Sequence, residues 1–208
     1  MPAFAGITKN MPPTIYYMRH GETDWNVGGR LQGQQEVALN ARGRRQGAHC
    51  GEILRDLFAR DGRDPAALDY LSSPLGRARQ TMELAHPALG LKPDGYRIEP
   101  RLIEISFGQW EGFTIAELRR RDPQGVAARE HDKWHFQPPG GESYEKMSAR
   151  VRDWYQSLRR DCVVSAHGGT ARGLMASLGI AKPAAAPLLD IAQGVVYVFE
   201  GERLTRYA

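Results

Sequence analysis

Residues 16–26 read YYMRHGETDWN and continue a short apolar run that begins at Thr14. The run is rich in β-branched and aromatic residues, so we predict a strand over residues 14–18. Arg19, His20 and Gly21 follow at the point where this strand ends. Because loops that follow strands often carry function, the adjacent arginine and histidine are candidates for a binding or catalytic site.

The chain has 208 residues, 41% of them hydrophobic, which is enough for one substantial core. We predict a flexible N-terminal tail over residues 1–13, with Met11 a candidate start, and a single domain over residues 14–208. Two cysteines are too few for a disulfide framework and fit a reducing compartment. No segment resembles a membrane span or a signal peptide, so we expect a cytoplasmic protein that does not bind a membrane.

The net charge is +4, and most of the basic residues are arginines. They are scattered along the chain, as in residues 42–45, 119–121 and 159–160, beside acidic or apolar neighbours. Such a distribution predicts solvated helix faces rather than a surface for nucleic acid.

The rest of the chain alternates between strand and helix patterns. We predict strands over residues 69–73, 97–99 and 162–166, and a closing hairpin over residues 195–207. Helices are predicted over residues 40–58 with Asn40 as N-cap, 74–85 with Pro74 in the first turn, 115–121, 143–160 and 170–178. This order indicates an α/β fold in which helices cover a parallel sheet.

Three of the predicted strand ends carry residues suited to binding an anion. Arg19 and His20 follow the first strand, residues 73–77 with Arg77 follow the second, and His167 follows the strand at 162–166. The carboxyl ends of parallel strands share one edge of a sheet, so we expect these residues to meet there, with a helix N-terminus directed at the same point. Paired guanidinium donors match phosphate oxygens, and the predicted ligand is a phosphoryl group.

Two other interpretations compete with a phosphate site. A metal site could use carboxylate and histidine ligands, but the paired histidines one helical turn apart that are typical of zinc sites are missing, and two arginines would repel the ion. Each histidine or arginine could also be purely structural, and the residues alone leave that open. The possible metal ligands are His20, Glu22, Asp24 and His167.

Four motifs in order resemble those of the histidine phosphatase superfamily, the phosphoglycerate-mutase-like proteins. They are YMRHGETDWN at 17–26, SPLGRARQT at 73–81, LIEISFGQWEG at 102–112 and VSAHGG at 164–169. The sequence PGGES at 139–143 is similar to the phosphatase members. The resemblance implies a three-layer α/β fold with a mostly parallel central sheet flanked by helices.

The resemblance also implies roles for the matching residues. His20 would be the nucleophile that becomes a phosphohistidine, and Glu104 would be the general acid. Further residues would contact the phosphoryl group or the substrate, and no metal or other cofactor is implied. These contact residues are Arg19, Arg77 and His167, together with Asn26, Arg30 and Gly168. Rival candidates for the acid are Glu22, Asp24 and Glu111.

The segment from 115 to 136 separates a hydrolase from a mutase. Mutases of the family carry a basic, histidine-bearing run in this insertion, and that run is missing here. We therefore predict a metal-independent phosphomonoesterase, of the histidine acid phosphatase type, that acts on a small phosphate ester. A phosphoglycerate mutase and a non-catalytic phosphate-binding protein remain alternatives. His131, Lys133 and His135 could meet a second anionic group, and the hairpin at 195–207 offers an edge for a homodimer.

Overall fold

The computed structural model describes residues 12–208, so residues 1–11 of the predicted tail, including Met11, lie outside the described part of the chain. The described residues form one six-stranded sheet in the order β3-β2-β4-β1-β5-β6. Four strands run parallel, and the last two are antiparallel to the strand beside them. This confirms a mostly parallel sheet. The strands are β1 (Ile15–Arg19), β2 (Asp69–Ser72), β3 (Arg97–Ile98), β4 (Cys162–Ala166), β5 (Val196–Glu200) and β6 (Arg203–Tyr207).

Seven α-helices of the described residues accompany the sheet, and the three-layer α/β arrangement is confirmed. They are α1 (Asp24–Val27), α2 (Ala41–Asp61), α3 (Gly76–Ala85), α4 (Ile115–Arg121), α5 (Pro123–His131), α6 (Tyr144–Ser157) and α7 (Gly168–Ser177). The predicted cap of α2 is confirmed, because the side chain of Asn40 accepts a hydrogen bond from the backbone N–H of Gly43.

Side chains of β1 alternate between two hydrophobic cores. Ile15 and Tyr17 join the core that includes residues of α6 and α7, and Tyr16 and Met18 join the core that includes residues of α2. Successive residues of a strand point to opposite faces, so a strand with apolar residues at every position is buried on both. Arg19, the next odd-numbered residue, falls on the α7 side of the sheet.

A glycine at every fourth position brings α2 close to its neighbours. A Cβ atom built on Gly43 would lie 2.1 Å from the carbonyl oxygen of Glu22, and one built on Gly51 would lie 2.3 Å from that of Ala85. Gly47, between them, faces the side chain of Leu84. Ala48, an apolar residue of the same helix, is exposed because the glycine face makes the contact.

Two predicted helix starts are corrected by the structure, and one helix was not predicted. α3 begins at Gly76, two residues after Pro74. α4 ends at Arg121 as predicted, and Pro123 opens the unpredicted α5, with Asp122 as N-cap, because proline fits the first helical position. α7 begins at Gly168, directly after the histidine of its motif. Among residues 12–208, no helix has both the length and the apolar content needed to cross a bilayer.

The buried His86 makes stability depend on pH. Its Nδ1 lies 2.7 Å from the carbonyl oxygen of Lys92, and burial lowers its pKa. Below about pH 6.5 the unfolded chain therefore binds a proton that the folded chain does not, so the free energy of unfolding falls as the pH falls. His86→Asn, whose amide can keep the bond to Lys92, should make this pH slope shallower by up to about 1.4 kcal/mol per pH unit.

Urea unfolding of the wild type and His86→Asn at several pH values between 5 and 7.5 measures this slope. The comparison of slopes is informative even if the variant is less stable at every pH, since a lost packing contact shifts the whole curve. Equal slopes in the two proteins would contradict the assignment of a neutral His86 to the folded state.

Candidate active site

The ends of β1, β4 and β2 lie side by side at one edge of the sheet. The N–H of His20 donates to the carbonyl of Ala166 at 2.9 Å, and the N–H of Ser73 donates to that of Ser165 at 3.0 Å. These bonds extend the parallel pairing by one residue beyond each strand. His20, Ser73 and His167 are thus brought together by the strand register, as the sequence pattern predicted.

His20 is buried and held in one tautomer. Its Nδ1 lies 2.7 Å from the carbonyl oxygen of Gly21, so Nδ1 carries the proton and Nε2 is the unprotonated nitrogen. Burial, and then the positive charges of Arg77 and Arg19, lower the pKa of His20 well below its ordinary value. The imidazole is therefore neutral near pH 7, which is the nucleophilic form.

His167 faces His20, with 5.2 Å between the ring centroids. Its Nε2 lies 2.7 Å from the hydroxyl oxygen of Ser73, which also accepts from the backbone N–H of Leu75 at 3.4 Å. We therefore assign the Ser73 hydroxyl as donor to Nε2, which leaves the proton of His167 on Nδ1. That nitrogen is buried and has no partner among the described residues.

The backbone of His167 is fixed by the Tyr17 hydroxyl. This hydroxyl donates to the carbonyl oxygen of His167 at 2.7 Å, and it accepts from the N–H of the same residue at 3.0 Å. Burial raises the pKa of Tyr17, so the phenol keeps its proton and remains a donor. A residue in the middle of β1 thus orients the histidine at the end of β4.

The buried Arg77 and the half-buried Arg19 flank the histidines. The Arg77 side chain donates from Nη1 to the carbonyl of Gln35 and from Nη2 to that of Gly33, both at 2.7 Å. Arg19 donates from Nη1 to the carbonyl of Ile191 at 2.6 Å. Burial lowers the pKa of both arginines, and Nε of each has no partner in residues 12–208. Arg77 is 1% exposed, so it is not the helix-surface charge that its sequence position allowed.

The small size of Gly21 serves packing rather than ligand approach. A Cβ atom at this position would lie 2.1 Å from the carbonyl oxygen of Gly43 at the start of α2. The Gly21 N–H donates to the Thr81 hydroxyl at 3.0 Å, and that hydroxyl donates to the carbonyl of Arg77. The space beside Gly21 is therefore occupied by the α2 backbone and is not available to a phosphate.

Glu104 lies beside α7, where both of its carboxyl oxygens are oriented by the backbone. Oε1 accepts from the N–H of Ile105 at 2.9 Å, and Oε2 accepts from the N–H of Gly169 at 3.1 Å. Burial lowers the pKa of Arg19 and of Arg77, and the Glu104 carboxylate is the largest influence that raises it. Glu104 therefore lies near both guanidiniums. The predicted acid thus shares one site with the predicted phosphate ligands.

An ion pair between Arg150 and Glu142 supports the position of Glu104. Arg150 on α6 donates from Nη2 to the carbonyl of Glu104 at 3.2 Å, and its Nη2 also donates to the Glu142 carboxylate at 2.9 Å. Glu142 belongs to the PGGES motif, which the sequence analysis used only as a marker of phosphatases. The structure shows a physical reason for that glutamate, because Glu142 holds the arginine that contacts the backbone of Glu104.

Two of the rival acids are engaged in other contacts. Oε1 of Glu111 accepts from the N–H groups of Gln34 and Phe107, both at 3.0 Å, and so organises the loop that carries Glu104. Glu22 accepts from the side chain of Asn40 and pairs with Arg42. Within residues 12–208, no three histidine, cysteine, aspartate or glutamate side chains converge as metal ligands.

The other residues predicted to contact the phosphoryl group or the substrate lie in different surroundings. Oδ1 of Asn26 accepts from the Gln193 amide at 3.0 Å, and the same amide donates to the carbonyl of His20. Gly168 is the first residue of α7, and a Cβ built there would lie 3.5 Å from Nε of Arg19. Arg30 donates from Nη1 to the carbonyl of Gly112 and to Glu117, so its contact with phosphate remains a prediction.

The first N–H group of α3 is paired with a carboxylate. The Glu36 carboxylate accepts the N–H of Gly76 at 3.0 Å and so caps this helix from a separate loop. The N–H of Gly76 is therefore not free to bind the ligand, as the expectation of a helix N-terminus at the site would require.

Sequence reasoning placed residues 73–77 at the site but gave Ser73 no role, and it did not identify Tyr17 or Gln193 as members of the site. A role for Ser73 could have been found, because it occupies the same strand-end position on β2 as His20 does on β1. Tyr17 was interpreted only as an apolar strand residue, because no sequence pattern indicated a role for its hydroxyl. Gln193 follows no strand or helix pattern and reaches His20 from 173 residues away.

Comparison with known proteins agrees with this geometry. The family model of the histidine phosphatase superfamily (branch 1) matches residues 15–206. A glucosyl-3-phosphoglycerate phosphatase of Mycobacterium tuberculosis is 34% identical over 178 residues, covering 79% of this chain and 74% of that protein. The solved structure of the alpha-ribazole phosphatase from Shigella flexneri has a TM-score of 0.74 at 28% identity, covering 92% of this chain and 93% of that one.

Another relative shows that the match can be a part of a longer protein. A bifunctional protein of Mycobacterium tuberculosis is 32% identical over 201 residues, which are 94% of this chain and 49% of that protein. The chain thus spans about half the length of this curated relative.

Proposed function

Because the chain belongs to the histidine phosphatase superfamily, we propose that it is a phosphomonoesterase that hydrolyses a small phosphate ester through a phosphohistidine on His20. The observation that carries the proposal is the hydrogen bond from Nδ1 of His20 to the carbonyl of Gly21. It leaves Nε2 unprotonated and stabilises the positive charge that the ring acquires when Nε2 is phosphorylated.

In the first step, Nε2 of His20 attacks phosphorus and the bond to the ester oxygen breaks. An alkoxide leaves poorly, so the protonated carboxyl of Glu104 gives its proton to that oxygen, and an alcohol departs. Arg19, Arg77 and Nδ1–H of His167 provide donors for the phosphoryl oxygens, on which charge accumulates in the transition state.

In the second step, the Glu104 carboxylate removes a proton from a water molecule whose oxygen attacks phosphorus. The bond from phosphorus to Nε2 breaks, its electron pair returns to His20, and inorganic phosphate is released. Glu104 is protonated again, so the cycle is closed. Each step is carried by residues of this chain, and the proposal includes no metal ion.

The donors of the arginines support this assignment. A guanidinium has five N–H groups, and the carbonyl contacts of Arg77 use one on each Nη. Nε–H and the second hydrogen on each Nη remain for phosphoryl oxygens. The carbonyl contacts fix the plane of the guanidinium before the substrate arrives, which is the preorganisation that electrostatic catalysis needs.

The test is acid-quenched or base-quenched trapping of a labelled phosphoryl group on the wild-type protein, with a chelator present, followed by peptide mapping. Release of inorganic phosphate from a panel of alkyl and aryl phosphates is measured in the same samples. We expect a base-stable, acid-labile label on the peptide that contains His20, and release of phosphate despite the chelator.

Other outcomes favour other functions. A label on His20 that transfers to an added alcohol or phosphoglycerate, with little release to water, would favour a mutase. Binding of inorganic phosphate without label or turnover on any ester would favour a phosphate-binding protein. Activity that the chelator abolishes would contradict the metal-independent mechanism.

A further inference from the structure

Two buried hydroxyl groups, those of Tyr17 and Thr170, contact the backbone of His167. The Tyr17 oxygen lies 2.7 Å from the carbonyl oxygen of His167 and 3.0 Å from its nitrogen, and the Thr170 oxygen lies 3.1 Å from both atoms. The two hydroxyl oxygens are 2.6 Å apart and form a hydrogen bond with each other. All three residues are 0% exposed, so water does not compete for these bonds.

The protons of this hydroxyl pair can be assigned. Because Tyr17 donates to the carbonyl of His167, its oxygen is free to accept, and Thr170 donates to it across the short 2.6 Å contact. The N–H of His167 donates to both hydroxyl oxygens. Burial raises the pKa of Tyr17, so the phenol stays protonated. The hydroxyl pair is therefore a complete hydrogen-bonded unit around one residue.

His167 needs this support because it lies between two elements. The ladder pairing of β4 ends at Ala166, and α7 begins with Gly168 and Gly169, which leave the backbone more freedom than other residues do. His167 itself is extended, with φ −132° and ψ 168°, so its N–H and C=O point to the same side of the chain. The hydroxyl pair binds both groups and takes the place of a strand partner.

The imidazole of His167 is held separately, by Ser73. The Ser73 hydroxyl bonds Nε2 at 2.7 Å, so the hydroxyl pair fixes the backbone and Ser73 fixes the ring. Nδ1–H is left for a ligand, since this nitrogen is buried and has no partner in residues 12–208. The position of Nδ1–H beside His20 thus depends on both supports.

Resting on the proposed function, we propose that Tyr17 and Thr170 are positioning residues of the reaction, which act through His167. They hold Nδ1–H of His167 where the phosphoryl oxygens gain charge in both chemical steps. A hydrogen-bond donor stabilises a transition state most when its position is fixed beforehand, and a displacement of about 1 Å can cost about 10²-fold in rate. Two hydroxyl groups that never contact the substrate therefore contribute to kcat.

Tyr17→Phe and Thr170→Val each remove one hydroxyl of the pair. The remaining hydroxyl still contacts both backbone groups of His167, and the N–H of Ala171 also donates to its carbonyl at 3.1 Å, so both variants should fold. One hydrogen bond is worth about tenfold, so each variant should lower kcat by about tenfold and the double variant by about 10²-fold. KM should change little, because the lost interaction strengthens in the transition state.

Two control variants separate the hydroxyl groups from packing. Tyr16→Phe makes the same change at the next residue of β1, whose side chain lies in the α2-side core, and should keep wild-type kinetics. Thr170→Ser keeps the hydroxyl and loses only a methyl group, so it should recover most of the activity that Thr170→Val loses. Wild-type kinetics in the double variant, or a Thr170→Ser protein as slow as Thr170→Val, would overturn the positioning role.

A double-mutant cycle tests whether Tyr17 acts through His167. Tyr17→Phe should lower kcat/KM for p-nitrophenyl phosphate about tenfold in the wild-type background and by less than about twofold in His167→Ala, where no imidazole remains to be positioned. A general loosening of the site would lower both backgrounds by the same factor. Equal factors would therefore overturn the inference, whatever the stability of the variants.

A binding measurement distinguishes failure of this inference from failure of the proposed function. Vanadate resembles the phosphoryl group in its transition state and binds without turnover, and calorimetry gives its Kd. We expect Tyr17→Phe to raise this Kd about tenfold when His167 is present and to leave it unchanged in His167→Ala. That result in a protein that hydrolyses no ester would contradict the hydrolase proposal alone. An unchanged vanadate Kd in Tyr17→Phe would overturn the positioning role.

Discussion

His20→Ala should lower kcat/KM for every phosphate ester by about 10⁴-fold or more and abolish the trapped phosphoryl label. Nε2 of His20 is the unprotonated nitrogen that the Nδ1 contact with Gly21 creates, and alanine offers no nucleophile in its place. Water would then have to attack the ester directly, without the covalent intermediate. Steady-state kinetics and acid-labile label measured on the same preparation check the prediction.

Two controls separate chemistry from folding in this experiment. His49→Ala removes an exposed histidine of α2 and should retain wild-type kinetics. Binding of inorganic phosphate to His20→Ala, measured by calorimetry, should persist, because Arg19, Arg77 and His167 remain. A label that persists in His20→Ala and maps to another residue, such as His167, would contradict the assignment of the nucleophile.

The sequence could predict the position of the site because that position depends on local patterns. Buried strands end at Arg19, Ser72 and Ala166, and parallel pairing places the next residues at one edge, so His20 and His167 meet. Residue types and spacing contain this information without any knowledge of loop geometry. The order of strands and helices was predictable for the same reason.

The supporting contacts could not be predicted, because they join loops whose relative positions no local pattern determines. Glu36 caps α3 from 40 residues away, and Gln193 reaches the backbone of His20 from the segment before β5. The glycine face of α2 was also missed. Hydrophobicity patterns count apolar side chains, so they do not detect a close contact that depends on the lack of a side chain. The pairing of Arg150 with Glu142 likewise required the structure.

Glu104→Gln should lower kcat for alkyl phosphates by about 10³-fold, while the first step with p-nitrophenyl phosphate should change only a few-fold. An alkoxide needs the proton of Glu104, whereas p-nitrophenolate is stable enough to leave without it. The second step still needs a base to activate water, so the phosphohistidine should accumulate. Stopped-flow absorbance should therefore show a burst of p-nitrophenolate that equals the enzyme concentration, followed by slow turnover.

Glu111→Gln is the matched control for this burst. Glu111 was a rival acid, but its Oε1 accepts the N–H groups of Gln34 and Phe107, so its replacement should loosen the loop without any dependence on the leaving group. Glutamine at 104 also leaves one of two backbone N–H groups, of Ile105 or Gly169, without an acceptor, which costs about 1–3 kcal/mol of stability. Thermal unfolding should accordingly show a lower Tm for Glu104→Gln.

Comparing the rate losses for alkyl and aryl esters separates the effect of lower stability from the effect of losing the proton donor. A loosened site would slow alkyl and aryl esters by the same factor and give no burst, because both steps would suffer together. Loss of the proton donor slows only the ester whose leaving oxygen must be protonated. Equal losses for the two esters in Glu104→Gln, or a burst in Glu111→Gln, would therefore show that Glu104 is a structural carboxylate and that another group protonates the leaving oxygen.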